Sequence, residues 1–170
     1  LNFNGGTHTL NSGADFTGTG TYAVGTGTTL TVNSGATLTA STLNLSGSLG
    51  GAGAVTVNSA MNWTGGSINS NPGGVNIASG AALNISGAGA KTVNGGVLNN
   101  AGTATWTDAG NIATANGAAI NNQATGVFDI QTDADISYNN VGPFSSFTNA
   151  GLLKKTAGAA DTVFGTGTPM

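Results

Sequence analysis

The chain has 170 residues, a formal net charge of −3 and an isoelectric point near 4.4. Gly, Thr, Asn and Ser supply more than half of it; Glu, Arg and Cys are absent, the acidic groups are all Asp and the basic ones all Lys. This excludes a disulfide framework, disfavours helices, whose interiors these four residue types destabilise, and leaves too few cations to neutralise the phosphates of a nucleic acid.

With 38% hydrophobic and 5% charged residues, the chain is also the reverse of the polar, charge-rich composition that stays disordered. No run approaches the roughly 20 apolar residues of a membrane helix, so no membrane insertion is expected. Residues 1–6 have neither the basic start nor the apolar core of a signal peptide. They read as the middle of a repeat, and the expectation is a segment of a longer polypeptide.

In chain order, Asn4-Gly5 is a sharp turn signal and Thr7-His8-Thr9 follows in a strand. Leu10-Asn11-Ser12-Gly13-Ala14 is a phrase that then returns as Val32-Asn33-Ser34-Gly35-Ala36, Val57-Asn58-Ser59-Ala60 and Ile77-Ala78-Ser79-Gly80-Ala81. A shifted version follows at Leu98-Asn99-Asn100-Ala101-Gly102, Ile120-Asn121-Asn122-Gln123-Ala124 and Phe147-Thr148-Asn149-Ala150-Gly151. The steps run from 20 to 27 residues, and a short period of this kind marks stacked identical units.

Within each period the chain alternates. Leu30 and Val32 share one face against Thr29, Thr31 and Asn33, and Leu43 and Leu45 oppose Thr42, Asn44 and Ser46, the pattern of half-buried strands. Three short strands per period, joined by Gly, Ser and Asn corners, predict an all-β fold, a three-sided β-solenoid of about seven coils of roughly 22 residues. Residues 1–170 then form a single domain, with coils stacked about 4.8 Å apart. Asn11, Asn33, Asn58, Asn100, Asn122 and Asn149 are expected to stack as a structural ladder of bonded amides. Phe16, Leu38, Trp63, Leu83, Trp106 and Phe128 are expected to form one interior stack. The longest step, from 122 to 149, contains residues 133–143, expected as a protruding loop.

The one concentration of charge is Asp129, Asp133 and Asp135. A calcium ion needs six to eight converging oxygens, which three Asp plus backbone carbonyls could supply, so the three are a weak calcium candidate; neither an EF-hand loop nor a Gly-Gly-x-Gly-x-Asp repeat surrounds them, so solvated loop carboxylates are the favoured reading and no cofactor is expected. Glycoside hydrolysis needs two carboxyls at a set separation, whereas Asp15, Asp108, Asp129 and Asp161 fall on different coils; no enzyme activity is expected. His8 is alone and accompanied by no nucleophile-elbow motif. Thr17, Thr19, Thr37 and Thr39 approach the flat Thr rows of ice-binding surfaces and form the candidate ligand face, although Asn62/Thr64 and Ala82/Asn84 interrupt the row. Trp63 and Trp106 are candidate platforms for sugar. Asn44-Leu45-Ser46, Asn62-Trp63-Thr64 and Asn84-Ile85-Ser86 match the N-glycosylation pattern, as chance allows in a chain of this composition.

The phrases Val32–Leu38, Gly80–Gly87 and Leu98–Thr103 resemble the β-strand repeats of large bacterial surface and secreted proteins, autotransporter passengers and haemagglutinin-type adhesins among them. The resemblance covers nearly the whole chain and implies a right-handed parallel β-helix at or beyond the bacterial cell surface, with no common catalytic residues to carry over. The expected function is therefore non-catalytic: an adhesin stalk, a spacer or a fibre-forming subunit that stacks end to end as a homo-oligomer. A solenoid with a face for a surface glycan or for ice is the alternative, and a polysaccharide-acting enzyme is less favoured.

Overall fold

The computed structural model describes residues 1–165 as a β-solenoid of about seven turns, all of whose paired strands run parallel. Each turn contributes one strand to each of three walls. The first wall is a sheet of seven strands: Gly6–Leu10, Thr28–Val32, Ser48–Gly50, Gly66–Asn69, Lys91–Asn94, Ile112–Ala115 and Ile136–Tyr138. The second takes residues 15–18, 37–40 and 54–57, then Val75–Ile77, Val97–Asn100, Ala119–Asn122 and Ser146–Asn149. The third takes Asn2–Phe3, residues 21–24, 42–45 and 60–63, then Ala82–Ile85, Thr103–Trp106, Val127–Ile130 and Leu152–Lys155.

The pleat turns alternation into columns. On the second wall Phe16, Leu38, Val55, Val75, Leu98, Ile120 and Phe147 lie one above another facing inward. Of the six apolar residues expected in one stack, Phe16 and Leu38 belong to this column, Leu83 and Phe128 to one on the third wall, and Trp63 and Trp106 to the next along it. All face inward, but three columns replace the single stack because the interior has three walls to line. Burial of these columns is the main stabilising term, at about 25 cal/mol per Å² of apolar surface removed from water.

The corners change along the rod. Asp15–Val24, Thr37–Leu45 and Ala54–Trp63 each run around the corner between second and third walls as one strand, the first two pairings accommodating it with a register shift. At residues 78–81 and 123–126 that corner opens into a turn, with Ala81 N donating to Ala78 O and Gly126 N to Gln123 O, whereas at 101–102 and 150–151 it is two residues long. The corner between third and first walls lengthens as well, from residues 46–47 and 64–65 to 86–90, 107–111 and 131–135. Longer corners bring extra backbone carbonyls inside, and buried carbonyls require donors. Inward-facing polar side chains supply them. Asn100 Nδ2 bonds Val127 O, Asn122 Nδ2 bonds Gly126 O and Leu152 O, Lys91 Nζ bonds Gly87 O and Gly89 O, and Trp106 Nε1 bonds Gly110 O.

The Asn phrase therefore marks corners of different kinds. Asn33 Nδ2 bonds Asn11 Oδ1 at 3.0 Å where the first wall meets the second. Asn100, Asn122 and Asn149 form another ladder, at the end of the second wall, in the inward column that Ala40, Val57 and Ile77 occupy in earlier turns. Asn58 belongs to neither, being an exposed residue next to the corner pair Ser41 and Ser59. The expected single ladder is two, because an apolar-Asn-small-Gly phrase serves any corner at which a strand ends.

Of residues 133–143, only the second part protrudes. Asp133–Asp135 belong to the corner between third and first walls and Ile136–Tyr138 is a strand of the first wall, whereas residues 139–144 are exposed. Even there, Asn116 N and Gly117 N donate to Val141 O and Pro143 O, so the loop is tied to the turn below.

Candidate functional site

Asp129, Asp133, Asp135, Lys154 and Lys155 gather at one place, the last third of the third wall and its corner with the first. Asp129 and Lys154 are neighbours in one outward column, and their side chains meet at 3.3 Å. The Asp129 carboxylate also accepts from Thr156 Oγ1 at 2.7 Å and Gln131 Nε2 at 2.9 Å, and the Thr156 bond foremost holds its pKa below the usual carboxylate range. Asp133 pairs with Lys155 at 3.0 Å and accepts the backbone amides of Ala159 and Ala160, so its pKa is lowered as well, chiefly by Lys155. Asp135 Oδ1 accepts Val163 N at 2.7 Å.

These three carboxylates thus face three different donor sets and do not converge. Among the described residues no three His, Cys, Asp or Glu side chains come together in a geometry for a metal ion. What the carboxylates do is fasten residues 156–163 to the turn below. Ile136 N donates to Val163 O, Gly165 N donates to Ile136 O, and the Phe164 ring sits edge-on to Phe147 at 5.0 Å.

Beside this cluster lies an open groove of about 480 Å³ lined by Asp108, Asn111, Gln131, Thr132, Asp133 and Gly158, among others. Its polar groups bond mostly to the protein: Asp108 Oδ2 accepts Gly87 N, Asn111 Oδ1 accepts Asp135 N, and Thr132 Oγ1 donates to Asp108 O. The groove therefore reads as the surface trace of the lengthened corners.

Thr17 and Thr39 do stack, and Thr56 continues their column, but the next members are Asn76, Asn99 and Asn121, whose amides bond each other at 2.8 and 2.9 Å. Thr37 belongs to the neighbouring column and donates to Asp15. Thr19 sits in the register shift between Gly18 and Thr21, outside the ladder. Trp63 and Trp106 are completely buried and offer no platform for sugar. His8 faces inward at the first turn, its ring 5.2 Å from that of Phe3. Comparison with known protein families, curated proteins and solved structures finds no match.

Two features escaped a reading by pattern. Asn44, Asn62 and Asn84, the three Asn of the glycosylation-like triplets, stand directly above one another on the third wall, with amide bonds of 2.8 Å between successive members. Ser46 and Thr64, two residues further on, donate to carbonyls one turn below, at Val24 and Leu45. Asn-x-Ser/Thr is here the local formula for an outward ladder residue, an inward apolar residue and a hydroxyl at the corner. The second feature is Lys91, with no exposed surface although the register places it in the column of Gly66 and Ile112. Burial lowers its pKa, and the nearby Asp108 charge works in the opposite direction. A signal for it was present: the single Lys in the middle of the chain directly follows the Gly-Ala-Gly-Ala run that begins at Gly87. No helix of the described residues is long and apolar enough to cross a membrane.

Proposed function

We propose that this chain is a non-catalytic structural module of a bacterial extracellular or cell-surface protein, of the autotransporter-passenger or haemagglutinin-like adhesin kind: a stalk, a spacer or a subunit that builds fibres end to end. The observation that carries this reading is the use made of the polar side chains. Asn, Thr, Asp and Lys bond the turn above or below, as in the Asn44–Asn62–Asn84 ladder and the Asp133–Lys155 pair, which stiffens a rod. The strand edges of Gly6–Leu10 and residues 15–18 accept a further coil, from the same polypeptide or from a second copy.

Electron microscopy of the purified chain across a concentration series tests the stacking. Rods that lengthen with concentration, and stop doing so when Phe16→Lys places a charge at that edge, are the expected result; dispersed particles at every concentration remove the fibre from the proposal. Turnover of a polysaccharide that disappears in Asp129→Asn or Asp133→Asn would overturn the non-catalytic reading.

A second reading, a solenoid with a glycan- or ice-binding face, draws on the Thr17–Thr39–Thr56 column. It expects ice shaping or glycan retention that is lost in Thr39→Tyr, and blank assays of both kinds exclude it.

A further inference from the structure

The chain contains three Asn-Gly pairs, Asn4-Gly5, Asn94-Gly95 and Asn116-Gly117. In such a pair the glycine nitrogen can attack the side-chain amide carbon of the asparagine, because glycine has no side chain to obstruct the approach. A hydrogen bond that holds the glycine N–H blocks this attack. All three are held, but by guards of different kinds. Gly5 N donates to Thr28 Oγ1 at 2.6 Å and Gly95 N to Ala115 O at 2.9 Å, and both Thr28 and Ala115 are buried residues of the first wall. Gly117 N donates to Pro143 O at 2.8 Å, and Pro143 belongs to the exposed loop 139–144.

We propose that Asn116-Gly117 is a site of spontaneous deamidation gated by that loop. Besides the Gly117 bond, the loop is tied by Asn116 N donating to Val141 O at 2.7 Å, by Asn139 N donating to Thr114 O at 2.9 Å and by the Tyr138 hydroxyl on Gly142 O. Its apolar side chains add little hold, since Val141 is 52% and Phe144 71% exposed. A segment with so little buried surface opens without the rest of the fold. Opening frees the Gly117 N–H and uncovers the Asn116 side chain, whose Oδ1 lies against Gly142 and whose Nδ2 bonds Asn94 Oδ1 at 2.6 Å. Asn94, one turn below, has no such gate, because freeing Gly95 N means lifting the strand Ile112–Ala115.

The chemistry needs only water. Once solvent removes the Gly117 amide proton, the nitrogen bonds to Asn116 Cγ and the Cγ–Nδ2 bond breaks, Nδ2 leaving as ammonia. Water then opens the five-membered imide at either carbonyl. In sum, one asparagine and one water give aspartate or isoaspartate with ammonium, and nothing is oxidised or reduced. Both products act back on the gate. A carboxylate has no N–H to offer Asn94 Oδ1, and isoaspartate inserts a methylene group into the main chain, which carries the Gly117 N–H away from Pro143 O. The loop then has fewer bonds on which to close, so the change runs one way.

Peptide mapping by mass spectrometry of the full chain, incubated at neutral pH, reads both sites in one molecule. The expected result is that Asn116 converts at least tenfold faster than Asn94 in the folded chain, while in urea the two rates agree within about twofold. Tyr138→Phe removes the hydroxyl bond to Gly142 O, and Gly142→Ala adds a Cβ that collides with the Asn116 side chain at a position of φ +72°. Each should speed conversion of Asn116 at least threefold and leave Asn94 unchanged. An Asn116 no faster than Asn94 in the folded chain overturns the proposal, as does an Asn116 that neither variant speeds. A parallel rise at Asn94 in both variants overturns it too, because the barrier is then the fold as a whole and not the loop.

Discussion

Asn122 donates its side-chain amide to Asn149 one turn above at 2.7 Å, while its Oδ1 accepts the amide of Asn100 one turn below at 2.9 Å. Both Asn100 and Asn122 are buried, and Asn122 also bonds the carbonyls of Gly126 and Leu152. Asn122→Ala therefore leaves several buried groups without partners, at about 1–3 kcal/mol each. We expect a loss of about 3 kcal/mol in denaturant unfolding, against about 0.5 kcal/mol for Asn62→Ala in the outward ladder, where water replaces the lost bond. Equal losses at the two sites would show that the inner ladder has no special role.

Gly66 has φ +75°, and a Cβ there would run into the carbonyl oxygen of Gly47 in the turn below. Gly66→Ala combines backbone strain with a steric block to stacking. We expect a fall in melting temperature of more than about 6 °C, using about 2–4 °C per kcal/mol for a chain of this size. Gly20→Ala, where the added methyl meets open space at an ordinary φ, is the control and should move it by less than a degree or two.

The two tryptophans should respond differently to the same substitution. Trp106 Nε1 donates to Gly110 O at 3.2 Å, whereas Trp63 Nε1 is buried without a partner among the described residues. Tryptophan to phenylalanine opens a cavity at either site. At position 106 it also strands a buried carbonyl, while at position 63 it removes an unsatisfied donor. Trp106→Phe should cost about 1–2 kcal/mol more than Trp63→Phe in urea unfolding; the reverse order would contradict this.

Acid should loosen the last turn first. Asp129 and Asp133 have folded pKa values below their ordinary ones, so the stability they contribute is present above the ordinary carboxylate range and is lost as pH falls through the folded values. Hydrogen exchange at Ala159 and Ala160, whose amides bond Asp133, should quicken at low pH relative to amides of residues 54–63, after correction for intrinsic rates. Asp133→Asn should show the quickened exchange already at pH 7. Uniform protection along the rod at both pH values would refute the assignment.

Lys91 has the opposite linkage. Its pKa is lowered by burial, so the cost of enclosing its charge is fully present below the folded pKa and is relieved as pH rises towards the ordinary lysine value. The difference in unfolding free energy between the native chain and Lys91→Met should therefore shift in favour of the native chain between pH 7 and pH 10. A pH-independent difference would mean that the ammonium is not desolvated.

Much of this molecule was legible because its rules are local. Leu30 and Val32 face inward for no reason beyond the pleat, and Gly13, Gly35 and Gly80 lie at turns with positive φ, which glycine adopts without strain. Period, strand class and the inward set follow from such rules. The ladder partners do not. Asn33 and Asn58 carry the same phrase, yet they stand at different corners because a corner's length shifts the register of everything after it.

Amino-acid order alone determined that this chain winds in short parallel strands around an apolar interior, since side-chain alternation and corner glycines act within a few residues. Only the tertiary structure decided which Asn bond each other, that Lys91 lies inside, and that Asp129, Asp133 and Asp135 pin the last turn. Each of those depends on contacts one full turn apart in the chain, and the position of one turn over another is set by the sum of the corner lengths between them.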